Sequence, residues 1–237
     1  MNLILFEASE ISIPLTRKDA RAVHLLTVLR RNVGDTFDAG LINGARGKGR
    51  VAAINADSVA LIFTWETPSP PLDPLVLVLG LPRPQTARKI LQESAALGLS
   101  ALHFFRAEKS EASYAQSTLW STGEWRRHLV TGAAQAFDTR LPEVTHGLSL
   151  PEALSLLPNG HHSIALDNYE SPQALSAIAL DRPVTLGLGP ERGWSASERD
   201  LLRARGFLFA HLGARVLRTE TAVVAAVSIV KARLGLM

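Results

Sequence analysis

The chain has 237 residues, of which 46% are apolar and 20% charged, and this composition excludes a wholly disordered protein. It has no cysteine, which excludes disulfides, iron–sulfur sites and thiol catalysis and is typical of a reducing compartment. The formal net charge of +3 is too small to indicate a polyanionic partner by itself. The first ten residues lack the basic start of a signal peptide, and the apolar runs are too short to cross a bilayer, so we expect a cytoplasmic protein with no membrane partner.

The first 68 residues predict a small β-barrel domain with one helix. Apolar residues share one face between Lys18 and Leu29, which indicates that helix. Short apolar runs separated by glycine turns indicate strands at Thr36–Leu41, Gly49–Ile54 and Ser58–Trp65. The segment Thr67–Pro74 has four prolines in eight residues, and we interpret it as a linker to a second domain.

Residues 72–237 alternate between strands and helices, which predicts a parallel sheet with helices on both faces. Leu75–Leu81 is an unbroken aliphatic run, typical of a strand buried on both sides. The other predicted strands are Ala101–Phe105, Ser163–Asp167, Val184–Leu188 and Phe207–Leu212. The predicted helices are Thr86–Leu97, Leu119–Phe137, Pro172–Ala179, Ser195–Arg205 and Thr221–Leu234.

Basic residues are concentrated early in the chain. Residues 17–50 contain eight lysines and arginines against three aspartates, which makes this segment a candidate polyanion-binding face. Of the 25 basic residues in the chain 20 are arginine, whose planar donor fork suits phosphate, although a GC-rich genome would favour the same excess. Within this segment Arg30 and Arg31 either contact phosphates or belong to a solvated face. His24 is either a functional residue or a packed surface histidine.

A glycine-rich loop, Gly187–Gly193, follows a predicted strand and precedes a helix that opens with a capping box, Ser195 to Glu198. Open α/β sheets bind ligands at the carboxyl ends of their strands, and glycine lets a backbone approach a ligand closely. The loop therefore predicts a ligand site. The alternative is a tight turn between strand and helix.

A second loop carries Arg215, Arg218 and Glu220 between a predicted strand and the last helix. Thr219 or Thr221 would serve as the helix cap, and the helix dipole favours Glu220 in the first turn. The same dipole disfavours two arginines unless an anion or a substrate faces them. The sequence has no His-x-x-x-His, Gly-x-Ser-x-Gly or Gly-x-x-x-x-Gly-Lys motif, so we expect no metal site, hydrolase elbow or nucleotide phosphate loop.

Together these features resemble the RsmE family of 16S ribosomal RNA uridine-N3 methyltransferases, which belong to the SPOUT class of S-adenosylmethionine-dependent enzymes. The resemblance runs over nearly the whole chain, and its last segment is the most specific. The segments that carry it are His24–Arg30 (HLLTVLR), Leu97-Gly98, Gln135 with Leu141–Val144, Leu186–Gly193 (LGLGPERG) and Leu212–Ala222 (LGARVLRTETA).

The resemblance implies a PUA-like β-barrel over residues 1–68 that binds RNA, and an α/β SPOUT domain over residues 72–237 whose last third is threaded into a trefoil knot. It implies a homodimer that acts on the small ribosomal subunit and contains no metal. The implied RNA contacts are Arg17, Arg21, His24, Arg30 and Arg31. The implied S-adenosyl-L-methionine contacts are Leu166, Gly187, Leu188, Gly189, Pro190, Gly193, Leu212, Gly213, Val216, Leu217 and Thr221.

In the implied reaction a uridine loses its N3 proton as it accepts the methyl group. Arg218, together with Arg215, would stabilise the charge that develops on the base. Glu191 or Glu220 would take the proton, directly or through water, and the sequence leaves open which of the two does so.

Several positions depart from the family pattern. Ala96 and Ala134 stand where the family has glutamate, Asp138 where it has arginine, and Arg192 where it has glycine. These changes motivate one alternative, a related SPOUT methyltransferase with a different RNA target. A second alternative is an inactive RNA-binding assembly protein, against which the presence of Arg218 and Glu220 argues. A nicotinamide-dependent oxidoreductase would need an acidic residue at the end of the strand that is followed here by Gly213.

Overall fold

The computed structural model describes residues 3–237, apart from the side chain of Thr67, and the chain forms two compact units. The N-terminal unit ends at Pro71 and also includes the later segment Val130–Leu141. The C-terminal unit consists of Leu72–Leu129 and Pro142–Met237. Residues 130–141 thus group with the N-terminal unit, although the sequence pattern assigns them to the second domain.

The N-terminal unit is built on a five-stranded sheet. Its strands are β1 (Ile4–Phe6), β2 (Leu15–Thr16), β3 (Thr36–Leu41), β4 (Ala45–Ile54) and β5 (Ser58–Pro68), in the order β1-β3-β4-β5-β2. β1 pairs with β3 in parallel, and the other pairs are antiparallel. Phe6, Val51 and Val59 are buried in its core. The predicted β3, β4 and β5 are present, whereas the short edge strands β1 and β2 lacked a pattern long enough to predict.

The helix predicted over Lys18–Leu29 is shorter in the structure and changes from α-helical to π-helical geometry. An α-helix, α1 (Ala20–Val23), continues as a π-helical turn over His24–Val28. The turn closes with Arg30 in the left-handed region (φ 52°), and the Arg31 amide donates to the Leu25 carbonyl at 2.9 Å. Glycine normally occupies such a position, because a side chain there costs about 1 kcal/mol or more.

The later segment is tied to the N-terminal sheet by hydrogen bonds. The Leu3 amide donates to the Ala134 carbonyl at 3.1 Å, and the Thr139 hydroxyl donates to the Gly44 carbonyl at 2.7 Å. A Cβ on Gly40 would lie 2.6 Å from the Thr139 methyl group, so glycine is needed for this close approach. These contacts join residues that are between 95 and 131 positions apart.

The predicted proline-rich linker is wrong in extent. β5 continues through Pro68, and the next strand already begins at Asp73, so only four residues separate them. Pro68 and Pro74 lie at strand ends, where a missing amide hydrogen costs the sheet little.

The C-terminal unit contains a seven-stranded, wholly parallel sheet. Its order is β10-β12-β9-β11-β6-β7-β8, and the central strands β6 and β11 are almost entirely buried. The strands are β6 (Asp73–Gly80), β7 (Leu99–Phe105), β8 (Glu143–Leu148), β9 (His162–Leu166), β10 (Gln173–Ala174), β11 (Val184–Leu188) and β12 (Leu208–His211). The strand predictions for this domain are therefore confirmed, with β8 and β10 added.

Two helix predictions need correction. The predicted helix Leu119–Phe137 is broken at Gly123, whose φ of 73° an α-helix does not allow, and Pro172–Ala179 forms β10 and a 3₁₀ turn. The short helix α5 was not predicted, although its capping box from Ser149 to Glu152 was a usable signal. The helices are α2 (Pro84–Ala96), α3 (Thr118–Ser121), α4 (Glu124–Gln135), α5 (Leu150–Ser155), α6 (Ala196–Ala204) and α7 (Thr219–Arg233).

At one edge of this sheet, a strand that comes late in the chain lies between two strands that come earlier. The chain leaves β9, runs out to β10 and returns to β11, and only afterwards forms β12, which lies between β9 and β10. The trefoil knot itself stays a prediction. None of the described helices is long and apolar enough to cross a membrane.

Candidate active site

The loops that follow β9, β11 and β12, together with the start of α7, enclose a cavity of about 210 Å³ in the C-terminal unit. β12, β9 and β11 are adjacent parallel strands, so their carboxyl ends meet at one edge of the sheet, where such sheets bind ligands. The predicted cofactor contacts that line it are Leu166, Leu188, Gly189, Pro190, Gly193, Leu212, Val216 and Leu217. The rest of the lining is Asp167, Asn168, Tyr169, Glu191, Arg192, Trp194, Arg215, Thr219 and Ala222.

Three predicted cofactor contacts do not line this cavity. Gly187 is buried within β11, and a Cβ there would make an ordinary 3.4 Å contact with Phe207. Gly213 has a φ of 108°, so glycine serves the backbone of its loop. Thr221 lies exposed on the first turns of α7.

The glycine-rich loop owes its shape to its own packing. A Cβ on Gly189 would lie 2.9 Å from the backbone carbonyl carbon of Gly193, closer than two such atoms approach. The Gly193 amide donates to the Pro190 carbonyl at 2.7 Å, and Gly193 has a φ of 69°. A Cβ on Gly80, at the end of β6, would lie 2.6 Å from the Pro190 ring. The glycines therefore form the tight turn and at the same time bring its backbone to the cavity.

A buried ion pair holds one wall of the cavity. The Asp167 carboxylate accepts from the Arg199 guanidinium of α6 and, at 2.8 Å, from the Tyr169 amide. The hydrogen bond to Asp167 raises the pKa of Arg199. Trp194, 1% exposed, donates from its indole to the Leu166 carbonyl at 2.8 Å. The family resemblance pointed to Leu166, but the sequence carried no signal for Arg199 as the partner of Asp167.

A second cavity adjoins the first in the C-terminal unit. It shares Glu191, Val216, Leu217 and Thr219 with the first cavity. Its other lining residues are Arg83, Gln85, Thr86, Lys89, Arg218 and Glu220. The predicted catalytic residues are therefore divided: Arg215 lines the first cavity, Arg218 and Glu220 line the second, and Glu191 lines both.

The two candidate proton acceptors have different partners. Glu220 forms an ion pair with Lys89 of α2, with 3.1 Å between Oε1 and Nζ. Its own backbone amide, in the first place, and then Lys89 hold the pKa of Glu220 below the usual carboxyl value. Glu191 Oε1 accepts from the Arg83 backbone amide at 2.9 Å. Both carboxylates thus keep one oxygen engaged.

The cap of α7 differs from the prediction. The N-cap residue is Arg218, in an extended conformation and with no side-chain capping bond, so the expectation of a Thr219 or Thr221 cap is wrong. The Arg218 backbone serves as the cap, and its side chain lines the second cavity.

The predicted RNA contacts of the N-terminal unit differ in exposure and in their hydrogen-bond partners. Arg21 donates to Glu10 and Asp19 at 2.8 Å each, and these bonds raise its pKa. Arg17 and Arg30 are exposed, His24 is half-buried at the start of the π-helical turn, and Arg31 has a buried Nε without a hydrogen-bond partner. Across residues 3–237, no three His, Asp or Glu side chains gather as a metal site requires.

Comparisons with known proteins agree on one family. The model of the RNA methyltransferase domain matches residues 68–231. Ribosomal RNA small subunit methyltransferase E of Treponema pallidum is 36% identical over 242 residues, covering 98% of this chain and 91% of the relative. The methyltransferase E 1 of Borreliella burgdorferi is 29% identical over 239 residues, covering 99% of both chains.

Two solved structures share the fold over nearly the whole chain. Ribosomal RNA small subunit methyltransferase E from Neisseria gonorrhoeae, bound to S-adenosyl methionine, superposes with a TM-score of 0.77 at 21% identity and covers 98% of this chain and 97% of its own. A putative methyltransferase from Legionella pneumophila, in complex with the same cofactor, has a TM-score of 0.81 at 20% identity and the same coverage.

These neighbours confirm the predicted α/β fold class over nearly the whole chain. The chain belongs to the RNA methyltransferase family, and within that family to the group of ribosomal RNA small subunit methyltransferase E. The resemblance drawn from the sequence is thereby confirmed.

Proposed function

We propose that this protein transfers the methyl group of S-adenosyl-L-methionine to N3 of a uridine in 16S ribosomal RNA of the small subunit, in the cytoplasm. The observation that carries the proposal is the pair of adjoining cavities. One is walled by the glycine-rich loop and leucines, and the other is lined by arginine, lysine and glutamate. Residues that line both cavities, Val216 among them, lie between the first cavity, which we assign to the cofactor, and the second, which we assign to the base.

The residues of the first cavity fit this cofactor. Leucines supply apolar surface for an adenine ring, here Leu166, Leu188, Leu212 and Leu217. The Gly189–Gly193 turn offers backbone groups at the cavity edge. When bound, S-adenosylmethionine supplies an activated methyl group on a sulfonium, so the protein has chiefly to align it with the attacking nitrogen.

The side chains of the second cavity hold and move the proton at uridine N3. Glu220 stays ionised at neutral pH, and its carboxylate, which contacts Lys89 through Oε1, accepts that proton. Arg218 stabilises the negative charge that spreads onto the base oxygens as the proton leaves. Glu191, whose Oε1 accepts from the Arg83 amide, is the second candidate for the acceptor.

We further propose that the N-terminal unit is a PUA-like barrel that binds RNA and that the protein is a homodimer. The exposed Arg17 and Arg30 support the first proposal. The composition of α7 supports the second, because this helix is apolar on more than its core-facing side. Val223 and Val227 are fully buried, yet Val224 and Ile229 are also apolar and only half-buried. A helix that is apolar all round is normally covered on every side.

Mass spectrometry of ribosomal RNA nucleosides tests the function. A deletion strain should lack N3-methyluridine in 16S RNA, and purified protein with S-adenosylmethionine should restore it on small subunits from that strain. Restoration on another RNA would favour the alternative target that the changes at Ala96, Ala134, Asp138 and Arg192 suggest. RNA binding without any methyl transfer would favour an assembly protein.

A further inference from the structure

The second cavity contains a lysine that the proposed chemistry uses only as a partner of Glu220. We infer that Lys89, Glu220 and Arg218 together read the N3 edge of the target base, and that Lys89 determines specificity for uracil over cytosine. This inference rests on the proposed function, because it assigns the second cavity to the base that is methylated.

The three side chains come from two helices that meet at the cavity. Lys89 lies on α2, Glu220 on the first turn of α7, and Arg218 at the cap of α7. Lys89 Nζ lies 3.1 Å from Glu220 Oε1, and the charge of Arg218 also acts on the Glu220 carboxylate. These three side chains supply two cationic donors and one anionic acceptor; Arg83 and Glu191 also line the cavity, and the Glu191 carboxylate already accepts from the Arg83 backbone amide.

This set of donors and acceptors matches one pyrimidine. The N3 edge of uracil presents an acceptor, a donor and an acceptor, namely O2, N3–H and O4. Two cations and one carboxylate supply the complementary donor, acceptor and donor. Cytosine presents a bare N3 toward the carboxylate and an amino group toward a cation, so two of its three groups would be unpaired or repelled. Sites that pair polar groups in this way reject such analogues strongly.

The geometry lets Lys89 turn from Glu220 to the base. Its side chain is 60% exposed, against 18% for Glu220. Exposed ion pairs are weak, so the ammonium exchanges its contact with Oε1 for one with a base oxygen at small cost. Glu220 remains charged without it, because its own backbone amide is the main cause of its lowered pKa.

Nucleotide binding tests the inference directly. Uridine and cytidine monophosphates are titrated into the full chain saturated with S-adenosylhomocysteine, and binding is followed by calorimetry and NMR. We expect the wild type to prefer the uridine nucleotide by about tenfold or more, as the loss of a hydrogen bond to a charged group predicts. Lys89→Met should lower this preference severalfold and leave the part that Glu220 contributes at N3, whereas Lys89→Arg should retain most of it. The control is Arg182→Met, which removes an exposed cation 3.6 Å from Asp181 and outside both cavities.

The same variants are compared in single-turnover methylation of small subunits from the deletion strain. We expect Lys89→Met to slow methyl transfer while its melting temperature and cofactor affinity match the wild type. Unchanged nucleotide preference in Lys89→Met, or no binding of either nucleotide to the wild type at millimolar concentration, would overturn the inference. A parallel fall in melting temperature would make the pair structural and also overturn it. A wild type that prefers the uridine nucleotide but methylates no 16S RNA would refute the proposed function alone.

Discussion

Arg199 of α6 donates to the buried carboxylate of Asp167, which follows β9 and lines the first cavity. The side chains are 11% and 2% exposed, and the more exposed Glu170 lies 3.6 Å from the same guanidinium. The pair joins a helix to the loop after a strand, so it fixes the cavity wall as well as the packing of α6. Removing one partner of a buried pair leaves the other charged and uncompensated.

We therefore expect Asp167→Asn to lower the free energy of unfolding by about 3 kcal/mol, measured by urea denaturation. Glu170→Gln is the matched control, since Glu170 is much more exposed, and it should cost less than about 1 kcal/mol. Equal effects of the two substitutions would contradict a structural role for the buried pair.

The proposal that the first cavity binds the cofactor is tested at Ala222 rather than at Gly189. A side chain at Gly189 would collide with its own loop, so its loss of binding would not identify the site. Ala222→Phe places a ring in the cavity from α7, and calorimetry should show at least about tenfold weaker S-adenosylmethionine binding. Ala214→Phe, at an exposed position outside the lining, should bind normally. Full affinity in Ala222→Phe would place the cofactor elsewhere.

One substitution of Arg30, whose backbone is left-handed, tests both stability and RNA binding. Arg30→Gly should raise the free energy of unfolding by up to about 1 kcal/mol, because glycine adopts a φ of 52° without strain. If Arg30 contacts a phosphate, the same substitution should weaken RNA binding and lower the salt slope by about one. A more stable variant with an unchanged salt slope would assign Arg30 to a solvated face.

Arg218→Ala tests the stabilisation of charge on the base. Since the negative charge on the base develops during methyl transfer, the single-turnover rate should fall by about 10² to 10³, far more than the affinity for RNA or cofactor falls. The free energy of unfolding should change by less than about 1 kcal/mol, because the Arg218 side chain makes no capping bond and its charge opposes the helix dipole. A rate equal to that of the wild type would make Arg218 irrelevant to catalysis.

Glu220→Gln tests the proton acceptor through pH. The pKa of Glu220 is lowered, so the wild-type carboxylate stays ionised at neutral pH and loses its proton-accepting form only below the usual carboxyl range. The variant should be slower by about 10² at neutral pH. Its deficit should shrink in alkaline solution, where uridine loses the N3 proton without help. A deficit independent of pH would point to Glu191 as the acceptor.

The lowered pKa of Glu220 also makes the stability of the folded protein depend on pH. A carboxyl whose folded pKa is below its unfolded value stabilises the protein above the unfolded pKa, and this contribution disappears as pH falls through the folded pKa. Glu220 should therefore contribute to stability at neutral pH and nothing in strong acid.

The sequence by itself determined the elements whose signals are local. Leu75–Leu81 is apolar throughout because β6 lies in the middle of a sheet covered on both faces, and Ser195 with Glu198 forms the capping box that starts α6. The two loops that line the first cavity were also predictable, since glycines between a strand and a helix are a signal within ten residues. Short edge strands and the break at Gly123 produced no pattern of sufficient length.

Only the tertiary structure decided which distant residues meet. Lys89 and Glu220 are 131 positions apart, and Arg199 is 32 positions from Asp167, so nothing in the local pattern pairs them. The same holds for residues 130–141, which group with the N-terminal unit, and for β12, which lies between two earlier strands. Local propensity depends on neighbours in the chain, whereas these contacts depend on strand order and helix packing, which are set by burial of the whole core.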